Sequence, residues 1–492
     1  MPRTKNIVAL DCGNSSYRIV LGRYDGERIT TEVVDQKPNN MIRIGDYFYW
    51  DFLMIYHEFK QSLKKVASMV DQIDSVGVCT WGIDFALFEK NGNMLSNPLS
   101  YRNTIGEEHL SKLNEEQKKN LFNQTGIFCD RINSIYMLMG IKEKMPEIYA
   151  TTDKILMVPD VLNYMLTGVM VNEPSELSTT QLMDVSRKQV NQTVCEQFDI
   201  PYNWFSKIGV HGEKIGTIRK NILDELKISY DIPVVCVPSH DTASAVVAIP
   251  TKEKNFAFIS SGTWSLIGTE LDSPIINEEV WSNNLTNELG AFGKVTLLKN
   301  SAGMFLVQRI KKELEEVLNR ELTWSEIDLM ADDYMDGFPL FNINDGRFFN
   351  PTNMIDEIWS YLKETNQVGD ALNYGAIIKA VYVSIACCYA QTIAQIEGIT
   401  GKSFEGIYIV GGGSRNKAIN KLTSMLTGKK VIACDKESTS LGNIAVQLKY
   451  FDSDLDIFSI RDIIGNSIET VEYIERLQPN NLVNRYVELC NH

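Results

Sequence analysis

Four short stretches carry side chains suited to chemistry rather than to filling a core. The first is DCGNSSYR, residues 11–18, set between the apolar runs 7–10 and 19–21. Strand, Gly/Asn turn, strand is the pattern of a β-hairpin. Its tip could serve an anion: Gly13 lets a ligand approach the backbone, hydroxyls and amides can donate, and the Asp11 carboxylate can hold a cation. The second stretch, SSGT at residues 260–263, repeats that layout half a chain later, again between apolar runs. A structural turn explains the first tip alone about as well, because Gly and Asn are turn residues. The repetition favours function and implies two related domains facing a shared anion site. The third stretch is His240-Asp241, after a strand expected over residues 233–237, where open α/β sheets place ligands. A satisfied structural pair is one reading of it, and a carboxylate acting as general base on a hydroxyl is the sharper one. The fourth is Gly411-Gly412-Gly413, between an apolar strand and a helix. Three glycines there imply close approach of a flat or anionic ligand, or a tight strand-to-helix turn.

Other chemistries fail on spacing. A dinucleotide fingerprint starting at Gly411 needs glycine at position 416, which is Asn416. Residues 398–403 end in Gly-Lys-Ser, but a P-loop needs glycine where Ile396 stands and a strand before it. A helix C-cap and turn explains that segment. The five histidines show no zinc spacing, and no G-x-S-x-G elbow is present.

The elements that must position these residues alternate between strand and helix, which argues for an α/β fold with a mixed sheet in each half. A chain of 492 residues suits two large domains, and the polar segment 250–255 divides it into 1–250 and 251–492. Helical spacing marks 51–70, 134–144 and 160–166, and a strand covers 75–80. Residues 85–88 and 95–101 read as a second Asn-Gly hairpin around Asn91-Gly92. In the second half a strand near 295–298 precedes a helix opening at residues 299–303. Further on come a long helix from 376, strands over 406–410 and 430–433, and a helix starting at STSLGN, residues 438–443.

Composition is that of a globular protein, 44% hydrophobic and 23% charged. A net charge of −15 argues against nucleic acid and anionic membrane as partners. Lys379, Gln391 and Gln395 interrupt the apolar run 376–396, which reads as a buried helix and not a membrane span. The amino terminus lacks the apolar core of a signal peptide, and nine scattered cysteines without C-x-x-C fit reduced thiols; both point to a cytoplasmic protein.

Motifs along the whole chain resemble the sugar-kinase branch of the actin-like ATPase superfamily, specifically the FGGY carbohydrate kinases and among them the rhamnulokinases. They are TWGIDF (80–85), LMVPD and LNYMLTG (156–168), STTQL (178–182), PSHDTASAV (238–246) and SSGTWSLIG (260–268). TNELG (286–290), LKN (298–300), NDGRFFNP (344–351), IVGGGSRN (409–416) and STSLGN complete the set. The resemblance implies two actin-like, ribonuclease H-like domains with an interdomain cleft binding Mg·ATP and a ketose. By the same resemblance Asp11 lies near Mg2+, and Asn14, Ser15, Ser16, Tyr17, Arg18 and Thr263 line the phosphates. Gln308, Gly411, Gly412 and Gly413 lie by the nucleotide, while Gly82, His240, Asp241, Thr242 and Asn300 line the sugar, with Asp241 as catalytic base. Two departures stand out. The family has a small residue at Asn14 and glycine at Tyr17, and GIFCDRINS (126–134), with Asp130 and Arg131, is more polar than its rhamnulokinase counterpart.

The implied reaction moves the γ-phosphoryl of ATP to O1 of a ketose, L-rhamnulose first. L-fuculose or a xylulose is the alternative acceptor, and a nucleotide-gated chaperone or filament ATPase is the rival from another class.

Overall fold

The computed structural model describes residues 3–349, 351–434, 437–475 and 481–490; Asn350 of the NDGRFFNP motif lies outside them. The chain folds into two compact units: residues 1–252, 270–297 and 437–468 form one, and 253–269, 298–436 and 469–492 the other.

The first unit is built on a six-stranded mixed sheet. Across it run Lys214–Thr217, Pro233–Val235, Ser75–Thr80, Lys5–Cys12, Ser16–Tyr24 and Ile29–Pro38. Lys5–Cys12 and Ser16–Tyr24 form the expected antiparallel hairpin, with Asp11 opposite Arg18 and Cys12 opposite Tyr17. On its other side Lys5–Cys12 pairs in parallel with Ser75–Thr80, Asp11 beside Cys79. Ile7, Val8, Ala9 and Leu10 are fully buried, which is why this run is continuous rather than alternating. Ile29–Pro38 had no apolar run to announce it, because one face of it is solvent-exposed and carries threonine and glutamate.

The second unit repeats the plan. Its sheet takes Val471–Tyr473, Lys430–Ala433, Gly406–Val410, Ala257–Ser261, Trp264–Leu271 and Val295–Ala302 in order, the last two strands crossing into residues of the first unit at one end. Again a hairpin, Ala257–Ser261 with Trp264–Leu271, pairs its first strand in parallel with a later one, Gly406–Val410. The next strand is also parallel and the edge strand antiparallel, as in the first unit.

Two expectations need correction. Residues 95–101 form no strand: Phe85–Phe88 pairs instead with Lys154–Met157, and of the hairpin there remain the turn at Asn91-Gly92, closed by the Glu89 amide on the Asn93 carbonyl, a bridge from Phe88 to Met94 and the Leu95 amide on the Leu87 carbonyl. A fully apolar strand does better against another buried strand, Ile155–Met157 being 0% exposed, than against the polar segment beyond Asn91-Gly92. Residues 299–302 do not open a helix either. The strand runs on to Ala302, and the helix is Phe305–Leu318.

The Gly-Lys-Ser segment ends the helix Tyr374–Thr400, with Gly401 in the left-handed C-cap conformation (φ 64°). Among the described residues this helix is the one long and apolar enough to cross a membrane, and 89% of its apolar window is buried inside the protein. Eight of the nine cysteines are buried.

Candidate active site

In the first unit the parallel strands deliver several singled-out residues to one end of the sheet. Asp11 ends Lys5–Cys12, Gly82 follows Ser75–Thr80, and Thr80 bridges to His240, whose Asp241 opens the helix Asp241–Val247. Small residues make this possible. A Cβ on Gly442, in the helix Ser438–Phe451, would lie 1.9 Å from the Ser244 carbonyl oxygen, so only glycine lets the two helices approach this closely.

The hairpin tip has the polarity an anion needs. Its carbonyls are tied back: Ser16 to the Gly13 amide (3.0 Å), Ser15 to the Asn39 amide (3.0 Å), Gly13 to the Asn39 side-chain amide (2.9 Å). These three bonds fix the main chain of the tip. Arg18 is half-buried and donates to Glu437 (2.6 Å), with its Nε 3.6 Å from Asp11. Tyr17 differs from the expectation of a phosphate contact in one respect: its ring is buried in the apolar core, 3% exposed, so only its main chain is available to a ligand.

Asp11 is buried and accepts from Ser440 Oγ at 2.8 Å. Burial pushes its carboxyl from 3.8 up to about 6, opposed by Arg18 and Ser440 and reinforced by the nearby Asp241 and Glu437. Carboxylates outnumber cations here, an imbalance that a divalent ion would correct. Among the described residues no three His, Cys, Asp or Glu side chains cluster tightly enough to cage a metal unaided. Mg2+ usually binds through one or two carboxylates plus phosphate oxygens and water, and Asp11 can supply one such carboxylate.

His240 lies between two carboxylates, Nδ1 3.3 Å from Glu288 and Nε2 3.6 Å from Asp241. Burial alone would lower the imidazole; the hydrogen bond and charge of Glu288, with Asp241, outweigh it and raise the group from 6.5 to about 9. Asp241 is itself raised by burial, less the attraction of His240 and the Thr242 hydrogen bonds. The result is an imidazolium holding a carboxylate at the open end of a helix, a pair fit to accept a proton from a hydroxyl. His240 gains its proton through folding, so its contribution to stability is full below 6.5 and is lost as pH rises through about 9. Glu288→Gln should abolish that loss and move the alkaline limb of the pH–rate profile down from about 9 toward 6.5, as read from initial rates and thermal melts across pH. An unchanged limb would remove Glu288 from this role.

Two further site residues have no role assigned from the motifs that contain them: Glu288 in TNELG and Asp84 in TWGIDF. Both carry a signal in hindsight: a single acid in a short, otherwise uncharged run. Asp84 is buried and takes both the Trp50 indole (2.6 Å) and the Trp81 indole (2.9 Å) on one oxygen. Burial, eased by those two donors, raises it to about 7.

In the second unit Thr263, Gln308 and Gly411–413 gather around one hairpin. The Gly262 and Thr263 carbonyls accept the Met304 and Phe305 amides (3.1 and 3.2 Å) at the start of the helix that carries the exposed Gln308 one turn on. Gly411 (φ 81°) and Gly413 pack on Ser261: added Cβ atoms would lie 2.9 Å from its carbonyl oxygen and 1.9 Å from its Oγ. Tyr389 of the long helix supports the hairpin from behind, its hydroxyl 2.7 Å from Ser265 Oγ. Asn300 is exposed near the end of the strand next to Trp264–Leu271. Gly413→Ala should therefore shift Ser261 and raise the KM for nucleotide by about 10-fold or more while sparing acceptor KM, a result that steady-state kinetics would read directly.

Residues 6–248 match the N-terminal domain of the FGGY family of carbohydrate kinases, and residues 257–450 match its C-terminal domain. The chain is an FGGY carbohydrate kinase. This FGGY kinase is 33% identical over 473 residues to a rhamnulokinase of Bacteroides thetaiotaomicron, covering 95% of this chain and 96% of that protein. It is 36% identical over 471 residues to one of Oceanobacillus iheyensis, covering 95% and 97%. In fold the FGGY kinase is similar to the ligand-bound xylulose kinase from Lactobacillus acidophilus (TM-score 0.80, 15% identity, 99% and 96% covered). It is also similar to the glycerol kinase of Plasmodium falciparum with ADP (TM-score 0.79, 14% identity, 99% and 97% covered).

Proposed function

We propose that this FGGY kinase transfers the γ-phosphoryl group of ATP to O1 of L-rhamnulose, giving L-rhamnulose 1-phosphate, with the family division near residue 250 as its domain boundary and the cytoplasm as its place of work. The observation that carries the reading is the likeness to rhamnulokinases along the whole chain, 36% identity with 95% of it covered in one case. The acid–base site of His240, Asp241 and Glu288 supports it.

Phosphoryl transfer passes through a loose transition state, so positioning and charge neutralisation do most of the work. In the first unit the amides of Asn14 and Ser15, with Ser16, the Tyr17 main chain and Arg18, serve as phosphate ligands; in the second, Thr263 serves as a phosphate ligand and Gln308 and Gly411–413 hold the nucleoside end. Asp11 would hold Mg2+, which when bound neutralises charge on the phosphate oxygens. Arg18, paired with Glu437 and Asp11, exchanges carboxylate partners for phosphate when nucleotide binds. Gly82, His240, Thr242 and Asn300 orient the ketose so that O1 faces Asp241. Asp241 takes the O1 proton as the bond to phosphorus forms, and the imidazolium of His240 keeps that carboxylate ionised.

ADP release measured with L-rhamnulose, L-fuculose, D-xylulose, glycerol and no acceptor tests this. L-rhamnulose should give the highest kcat/KM. A preference for another ketose would correct the substrate and keep the chemistry, and no stimulation by any acceptor would overturn the reading.

A further inference from the structure

Beside Gly82 the backbone does something costly. Ile83, a β-branched and half-buried residue, has φ 83°. The Asp84 amide donates to the Gly82 carbonyl at 3.0 Å, so Ile83 is the central residue of a γ-turn of the rare left-handed kind. Such conformations persist only where the surroundings over-determine them, and they cluster at functional sites. Here the turn is braced from several sides. Thr179 Oγ1 accepts the Ile83 amide (2.9 Å) and donates to the Glu176 carbonyl (2.7 Å), while Ser134 Oγ donates to the Ile83 carbonyl. Val158 donates its amide to the Asp84 carbonyl (3.1 Å), and the two indoles fix the Asp84 carboxyl.

The braces belong to one buried network. Asn133 donates its side-chain amide to the Thr179 carbonyl (3.0 Å). Ser175, at the start of the short helix before Thr179, accepts the His240 amide on its hydroxyl (3.1 Å) and donates that hydroxyl to Glu173 (2.6 Å). Ser178 accepts the amide of Leu289, next to Glu288, at 2.9 Å. The turn, His240 and Glu288 are thus referenced to the same segment, 173–179. Gly82 completes the fit: an added Cβ would lie 3.0 Å from Thr179 Cγ2 and 3.2 Å from the His240 ring.

We propose that Ile83 and its braces Thr179 and Ser134 are positioning residues for the ketose: they hold the Gly82 main chain against the His240 ring and so set how the sugar approaches Asp241. A relaxed turn would let Gly82 drift, and a misplacement of about 1 Å in such a site costs roughly 10²-fold in rate. The braces hold the strain: isoleucine avoids this φ, so without them residue 83 would relax and take Gly82 with it.

The inference rests on the ketose-kinase reading. The test compares Thr179→Val, which keeps the shape and loses the hydroxyl, with Thr179→Ser, which keeps the hydroxyl, and adds Ser134→Ala, which removes the brace on the Ile83 carbonyl, as an independent variant. Steady-state kinetics are run against L-rhamnulose and ATP. Thr179→Val and Ser134→Ala should each lose at least about tenfold in ketose kcat/KM with ATP KM within about twofold of wild type, and Thr179→Ser should stay near wild type. Wild-type ketose kinetics in both Thr179→Val and Ser134→Ala would overturn the inference alone, as would Thr179→Ser impaired as badly as Thr179→Val. A parent enzyme that phosphorylates no ketose would overturn the functional reading and the inference with it.

Discussion

Asp241→Asn should lower kcat by about 10²–10⁴-fold while ketose affinity stays close to that of the parent enzyme. Asparagine keeps the size of the side chain and can still accept from the Thr242 hydroxyl, which lies 3.3 Å from the Asp241 carboxylate. It cannot accept a proton from O1, and it removes the charge that His240 faces at 3.6 Å. Kinetics with calorimetric ketose binding would check the split between chemistry and affinity. Near-parental turnover would take Asp241 out of the base's role, and a matching collapse of affinity would make it a binding group instead.

Asp11→Asn should separate activity from stability in the opposite sense. Losing the carboxylate proposed to hold Mg2+ should cost more than the roughly 10–100-fold typical of outer-shell metal partners. Folding should not suffer. The carboxyl of Asp11 rises from 3.8 to about 6 on folding, net of the Arg18 attraction, so the folded state holds this proton more tightly than the unfolded one. Stability therefore falls as pH climbs through that interval, and above it the buried charge is a standing cost on the order of 1–3 kcal/mol. At pH 8 the variant should melt at or above the parent temperature, and the difference should vanish on acidification below 3.8, where both side chains are neutral. Arg18 keeps Glu437 at 2.6 Å in either case. A variant markedly less stable at pH 8 would mean that the Arg18–Asp11 attraction outweighs burial.

Much of this site was legible in the sequence, for identifiable reasons. The hairpins announce themselves because their strands are buried on both faces and read as unbroken apolar runs around polar tips. The triple glycine is legible between a strand and a helix, and at Gly411 and Gly413 a side chain would strike Ser261. Asp241 was legible through its place after a strand, and its role came by resemblance. What escaped depends on contacts distant in sequence. Glu288 gains meaning only because Leu289 is pinned by Ser178, which brings the carboxylate to His240. Glu437 matters because Arg18 reaches it across 419 positions of chain. The conformation of Ile83 has no sequence signature at all, since isoleucine is a residue that ordinarily avoids it. The failed hairpin at 95–101 teaches the same lesson: a good turn signal lost to a better-buried partner strand.

The most direct test of the proposed transfer is where the phosphate ends up. Proton-coupled phosphorus NMR of the product formed from ATP and L-rhamnulose reports this without a standard, because O1 is the sugar's primary hydroxyl. Coupling of the new phosphorus resonance to the two C1 protons is the expected result. A doublet from a secondary carbinol proton, or free phosphate with no sugar ester, would contradict transfer to O1.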